Sequence, residues 1–246
     1  TAFFRPMPEI AQRFPMPQFL WNAGVRRYGF HGLSYESIVH SHPSAKRGRV
    51  IIAHLGNGCS MTALLDGRPV ETTMGFTPAG GLMMSTRSGD LDPGVLVYLM
   101  DHRGYGPREI ERLVNQESGL KGVSGLSGDM QTLLSVQGEN PQAALAIDMF
   151  CDSVRQQIGA FTAVLGGLDC LIFTAGIGER AASVRADICH GLGHLGIFLD
   201  EAANAANSRR INTVQSLCVV EVVSTNEELM IARHSTACFA AGMSNP

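Results

Sequence analysis

The apolar run VIIAHL at residues 50–55, interrupted only by His54, ends in Gly-Asn-Gly, and a second apolar run starts immediately after. Continuous apolar runs of this length, without polar alternation, are what strands buried on both faces look like. The pattern therefore predicts strands over Arg49–His54 and Ser60–Leu65. Asp66-Gly67 then supplies a two-residue hairpin turn, and Pro69–Thr73 continues as a third strand. Residues 49–73 read as an antiparallel meander. Upstream, Pro6, Pro8, Pro15 and Pro17 exclude a long helix within residues 1–20, and one short helix is expected over 34–40.

Beyond the meander, MGFTPAGGLMMSTRSGDLDPG has little periodicity, and residues 93–165 are dominated by helical spacing. The clearest helix is Pro141–Leu165. Pro141 suits a first turn, and Leu145, Met149, Val154, Ile158, Phe161 and Leu165 mark its expected apolar stripe. DCLIFTAGIGERAASVRADI reads as strand, glycine turn, helix, and SLCVVEVVSTNEELMIARHSTACFAAGM repeats strand, turn, helix, with Thr225 and Glu228 at capping-box spacing. Three meandering strands, a helical block and two β-α units predict an α/β domain, with a mixed five-stranded sheet and helices on its faces.

Composition narrows the class. The chain has 246 residues, 45% hydrophobic and 17% charged, with a formal net charge of −3. A soluble core is expected and nucleic acid is not an expected partner. Six cysteines, none in a C-x-x-C pair, give no metal spacing and no disulfide framework. No apolar run reaches the ~20 residues of a membrane span. The N-terminus is not a signal peptide, so a cytoplasmic location is expected. The first residue is Thr1, not Met, which suggests a fragment.

The candidate chemistry lies in the glycine turns. His54-Leu55-Gly56-Asn57-Gly58 can aim several backbone N–H groups at one anion, or can be a plain hairpin with a solvated Asn. Ala175-Gly176-Ile177-Gly178-Glu179 follows a strand and opens a helix, where anions are favoured. Gly176, Gly178 and Ala181, with Asp200 downstream, also fit the dinucleotide fingerprint, but that fingerprint belongs on a first βαβ unit, and no Walker A motif is present. Arg87 can clamp a phosphoryl group or pair structurally with Asp90. His31 sits in RRYGFHG as a catalytic or a structural histidine. Glu227, at the mouth of the sheet, is a ligand-binding residue or a helix-capping one.

Together, TAFF, RRYGFHGLSY, HLGNGCS, ETTMGFTPAGGLMMSTRSGDLDP, GVSGLSGDMQ, FTAGIGER and STNEEL closely resemble the acetate kinase family of acetate, propionate and butyrate kinases, over residues 1 to about 233. The resemblance implies an actin-like (RNase H-like) fold and phosphorylation of a short-chain carboxylate by ATP with Mg²⁺. It implies that His54–Gly58 grip phosphate, that Asp129, Met130, Gln131 and Ala175–Glu179 hold ATP or ADP, that His31 and Arg87 act on the transferring phosphoryl group, and that Glu227 helps bind Mg²⁺. It also implies a homodimer.

The chain departs from the family pattern at Leu33 and Tyr35 (Thr and His in the pattern), Gln131 (Arg), Ala175 (Gly) and Arg180 (Asn). It begins one residue past the pattern's catalytic Asp. The expectation is a second actin-like domain over 1–228, with 93–165 as a helical insertion, and a closing helix over 229–246 whose apolar face packs on a first domain outside this chain. Two readings stay open: half of a carboxylate kinase, or a nucleotide-binding and dimerising module without turnover.

Overall fold

The computed structural model describes residues 1–243, with side chains described through Phe239. In chain order the strands are β1 (Arg49–Leu55), β2 (Cys59–Leu65), β3 (Arg68–Thr72), β4 (Cys170–Thr174) and β5 (Val219–Val222). The helices are α1 (Glu9–Gln12), α2 (Gln18–Asn22), α3 (Gly32–Ser41), α4 (Pro93–Arg103), α5 (Pro107–Arg112), α6 (Gly119–Ser124), α7 (Met130–Val136), α8 (Pro141–Leu165), α9 (Ala175–Arg180), α10 (Ala182–Cys189), α11 (Glu201–Ala205) and α12 (Glu227–Met243). The sheet order is β3-β2-β1-β4-β5, antiparallel between β1, β2 and β3 and parallel from β1 through β4 to β5. This is the expected mixed five-stranded sheet.

Why β1 is apolar at every position is now visible. Ile51, Ala53 and Leu55 face one core, and Val50 and Ile52 face another on the opposite side. In β4, Leu171 and Phe173 alternate in the same way with Cys170 and Ile172. The first core is closed by α6, α7, α8 and α10, the second by Phe4, Met7 and α3. The Asp66-Gly67 turn has φ of 49° and 75° at its two central residues, as a primed hairpin requires.

Helix α8 has well-defined ends. Asn140 Oδ1 accepts from the N–H groups of Gln142 and Ala143, both at 3.0 Å, and Gly166 closes the helix at φ 69°. Its buried stripe differs from the expected one. Leu145 and Met149 are each 45% exposed, whereas Ala143, Ala146, Ile147, Phe150, Cys151, Val154, Ile158 and Phe161 are buried. Small residues line the approach to the sheet, and large side chains alone misplace the stripe by part of a turn. Each fully buried Ile or Phe there contributes about 1.5–3 kcal/mol.

Two further local expectations change. Residues 1–20 hold short helical turns rather than irregular chain. Glu228 does not complete a capping box with Thr225: Asn226 Oδ1 accepts from Leu229 N at 2.9 Å, and the Thr225 hydroxyl instead donates to Ser34 O on α3 at 3.2 Å. Helix α12 thus leans on α3, also through His234 and Glu36 at 2.9 Å, and buries Met230. Its other positions between Glu228 and Phe239, including Leu229 and Ala237, are exposed. Residues 244–246 of the expected closing segment lie outside the described residues.

Candidate functional site

The parallel strands β1, β4 and β5 end together, with His54 beside Thr174 and Phe173 beside Val222. Their carboxyl ends deliver three segments to one edge of the sheet: Gly56–Gly58, Ala175–Glu179 and Ser224–Glu227. Ligands of open α/β sheets bind at such an edge.

Gly56-Asn57-Gly58 is a three-residue turn between β1 and β2. Neither glycine has positive φ; what each supplies is the absence of a side chain at close quarters. A Cβ on Gly58 would lie 3.0 Å from Arg87 Nη1 and 3.4 Å from His31 Nε2, and one on Gly56 would lie 3.6 Å from Ala175 Cβ. Asn57 O accepts from Ser85 N at 3.3 Å, which docks the turn onto the loop carrying Arg87.

The second wall corrects the expected glycine turn. The chain passes from β4 directly into α9, through Ala175 at φ 65°. The carboxylate of Glu179 accepts from Ala175 N at 3.0 Å and from Thr174 Oγ1 at 3.5 Å, while its other oxygen accepts from Ser224 Oγ at 2.7 Å. Glu179 is therefore spent on clasping the start of α9 to the segment after β5. Gly178 O accepts from Nη1 of Arg185 at 2.9 Å. Arg185 is completely buried and also donates to Asn204 Oδ1, Asn204 O and Asn207 Oδ1 at 2.7–2.8 Å.

Between these walls lies an open pocket of ≈ 430 Å³. Gly176, Ile177, Arg180 and Ala181 form one side, Asp129, Met130, Gln131 and Leu134 the other, and Gly56 and Asn57 the end. It adjoins a more polar depression of ≈ 370 Å³, where Asn57, Gly58 and Asp129 meet Ser85, Thr86, Arg87 and Gly128. Asp129 lines both, but its carboxylate caps α7, accepting from Thr132 N at 2.9 Å and Thr132 Oγ1 at 2.7 Å, and these bonds hold its pKa below the ordinary value.

His31 and His54 stack beside the turn, with ring centroids 4.1 Å apart and planes 16° apart. His31 sits at φ 58° at the start of α3. Its Nδ1 lies 2.8 Å from Ser60 Oγ, and His54 Nδ1 lies 2.8 Å from Ser34 Oγ. Burial, then the Arg87 charge, pushes the His31 pKa down to about 4; burial, then His31, pushes His54 down to about 3. Both rings are neutral at pH 7. Arg87 does not pair with Asp90, whose carboxylate accepts from Gly81 N at 2.7 Å; Arg87 Nη1 instead faces Pro78 O at 3.4 Å.

Glu227 opens α12 at the same edge but lines neither depression. Among the described residues, no three His, Cys, Asp or Glu side chains converge on a cation position, and no helix is long and apolar enough to cross a membrane. A further pocket of ≈ 460 Å³, between α8 and α10 around Asp148, Asp152 and Asp187, lies away from this edge.

Sequence reasoning missed Ser34, Ser60, Ser224 and Arg185, all of which hold the named residues in place. Ser60 could have been found as the residue paired with His54 across the β1–β2 hairpin, whereas nothing in ASVRADI signals a buried arginine.

Fold and site define an α/β domain with a two-part cleft at the carboxyl edge of a mixed sheet. The acetokinase family model matches residues 1–233, and the chain belongs to that family. It is 48% identical over 241 residues to an acetate kinase of Rhodopseudomonas palustris (strain TIE-1), covering 95% of this chain and 60% of that protein. It is 45% identical over 241 residues to a propionate kinase of Citrobacter rodentium, with 95% and 60% covered. Among solved structures, the acetate kinase of Porphyromonas gingivalis superposes with a TM-score of 0.92 at 38% identity, over 96% of this chain and 62% of that one. The acetate kinase of Entamoeba histolytica gives 0.89 at 32% identity, over 96% and 64%. The chain thus spans about three-fifths of the length of these relatives.

Proposed function

We propose that this chain supplies the nucleotide-holding and phosphoryl-contacting part of an ATP-dependent kinase that converts a short-chain carboxylate to an acyl phosphate and back. Acetate is the first candidate acid, since acetate kinase is the name of the most similar relatives given above, with propionate next. The observation that carries the reading is the approach of Arg87 Nη1 and His31 Nε2 to Gly58, which with Arg87 lines the smaller depression. Phosphoryl transfer asks the protein for positioning and for neutralisation of charge on the phosphoryl oxygens, more than for covalent chemistry. A guanidinium that pairs with no carboxylate among the described residues, and a neutral imidazole close to the same glycine, meet that requirement.

The base and ribose fit the larger pocket against Ile177, Met130, Leu134 and Gln131. The phosphates run over Gly56–Gly58 towards Arg87. Gln131 and Arg180, which differ from the family pattern, are placed to contact the nucleoside end, and Ala175 tolerates its left-handed conformation in place of the pattern's Gly. Glu179 and Asp129 act by shaping the walls, since their carboxylates are already bonded to the protein.

Mg²⁺, when bound with the nucleotide, neutralises phosphate charge. One carboxylate, Glu227, is the side chain this chain offers it. That donor set fits a Mg²⁺ ion carried on phosphates and waters, and does not fit one held by protein ligands alone. About two-fifths of each relative has no counterpart in this chain, so the acid-binding partners and the remaining metal ligands are assigned to that part. We further propose a homodimer in a cytoplasmic setting, and that α12 offers its exposed face to the unmatched part.

The test is a hydroxamate assay for acetyl phosphate on the purified chain. No turnover is expected from the chain alone, and turnover within tenfold of an intact acetate kinase overturns the division of labour. The second reading, a module that binds nucleotide without ever turning over, is favoured if supplying the unmatched part of a relative restores no activity.

A further inference from the structure

The two histidines do more than stack. Ser60 Oγ lies 2.8 Å from His31 Nδ1 and makes a second, short hydrogen bond with the hydroxyl of Tyr35. Tyr35 and Ser60 are completely buried. Among the described residues, Ser60 Oγ is the only hydrogen-bond partner of the Tyr35 hydroxyl. We propose that Tyr35 and Ser60 form a relay that fixes the tautomer of His31, with the proton on Nε2, and so turn that nitrogen into a donor facing the Gly58 turn.

The argument is a count of protons. Neutral His31, Ser60 and Tyr35 bring one polar hydrogen each to two hydrogen bonds. If Tyr35 donates to Ser60, the Ser60 hydroxyl donates to Nδ1, and the imidazole proton sits on Nε2 at the cleft. Every buried hydrogen then has an acceptor. In the reverse order Nδ1–H donates to Ser60, and Ser60 donates to the phenol oxygen. The Tyr35 O–H is then left buried without an acceptor, a loss typical of unsatisfied buried donors. A third order, with both neighbours donating to Ser60, strands the Ser60 hydrogen in the same way. A buried phenol is also the stronger acid of the two hydroxyls, which favours donation from Tyr35 to Ser60.

The tautomer decides what the cleft presents. With the proton on Nε2, His31 and Arg87 are two donors converging on one point. With the proton on Nδ1, the lone pair of Nε2 faces the same point and opposes an anion oxygen. The structure places Arg87 Nη1 on Pro78 O and not on His31 Nε2, in keeping with two donors side by side. Tyr35 is one of the positions at which this chain departs from the family pattern given above. Tyr35 and Ser60 touch no ligand position themselves; they are positioning residues. Their value to phosphoryl transfer rests on the proposed function, but the tautomer does not.

The experiment is long-range ¹H–¹⁵N correlation of the histidine imidazoles in the ligand-free, uniformly labelled chain at pH 7, with His31 assigned from the spectrum of His31→Gln. The expected result is a His31 ring with an unprotonated Nδ1 and a protonated Nε2. In Ser60→Ala, which removes the donor to Nδ1, the Nδ1 resonance should move towards the protonated position, whereas in Tyr35→Phe the Ser60 hydrogen still has Nδ1 to meet and the unprotonated Nδ1 should be kept. A protonated Nδ1 in the wild-type chain overturns the relay outright, so the test stands even if either variant fails to fold. A wild-type pattern retained in folded Ser60→Ala, or a protonated Nδ1 in folded Tyr35→Phe, overturns it as well. Absence of ADP binding by the chain, or of turnover once the unmatched part of a relative is supplied, would remove the kinase reading and leave this spectrum unchanged, so the two failures are distinguishable.

Discussion

Acid should unfold this domain earlier than its carboxylates require, because two neutral histidines are buried against each other. The perturbation is a fall in pH from about 6.5 to about 5, the window in which an unfolded histidine takes up its proton. In the fold His31 holds off protonation to about 4 and His54 to about 3, through burial, the Arg87 charge and their mutual contact. A depressed folded pKa means stability that is present above the unfolded value and is lost as pH falls towards the folded one. Each such group costs about 1.4 kcal/mol per pH unit, so the pair removes about 4 kcal/mol by pH 5. That is a large share of the ~5–15 kcal/mol typical of a whole domain. Asp129 and Asp169 also have lowered pKa values, from hydrogen bonds with Thr132 and Arg49 respectively, but their contribution is lost at lower pH and does not enter this window. Urea unfolding of the chain, followed by circular dichroism at several pH values across the window, measures the slope. His54→Gln, whose amide can still meet Ser34, should lose about half of it. A midpoint unchanged between neutral pH and pH 5, or a slope equally steep in His54→Gln, would refute the reasoning.

Three other outcomes are expected. Arg185→Ala should destabilise the chain by about 3–5 kcal/mol in the same urea assay, because it leaves the carbonyls of Gly178 and Asn204 and the amides of Asn204 and Asn207 without their donor; a loss under ~1 kcal/mol would show those groups re-paired. In an assembly that turns over, Arg87→Ala should lose about 10³–10⁵ in kcat with nucleotide affinity nearly kept, and equal losses in both would mark a structural arginine. Sedimentation of the chain at micromolar concentration should show a dimer, and a clean monomer would contradict the quaternary proposal.

Much of this fold was legible because its signals are local. The apolar run of β1 reports two buried faces, and Asp66-Gly67 reports its own turn through its backbone angles. The convergence of Gly56–Gly58 with Ala175–Glu179 follows once β1 and β4 are parallel neighbours. What stayed hidden depends on contacts distant in sequence. Glu179 reads as a free acid at a glycine turn, and only the fold shows Ser224 closing on it, 45 residues further on. Arg185 looks like a surface arginine of a short helix until Asn204 and Asn207 fold over it. The α8 stripe was misjudged because Ala143 and Ala146 are buried while Leu145 is not, an inversion set by how closely the helix approaches the sheet.

The central claim is that a nucleotide site is already formed at the sheet edge of this chain. Titration calorimetry of ADP with Mg²⁺, on the chain and on Gly176→Leu, tests it most directly. Gly176 lines the larger pocket, its φ is not positive, and a Cβ there meets nothing within 4 Å, so a leucine can project into the space without straining the backbone. The account predicts weak binding by the wild-type chain, with a dissociation constant of about 0.1–1 mM, or about −5.5 to −4.1 kcal/mol. It predicts at least a tenfold loss in Gly176→Leu with the thermal unfolding midpoint kept or raised. No heat at millimolar ADP from the wild-type chain, or binding undiminished in a folded Gly176→Leu, would contradict it.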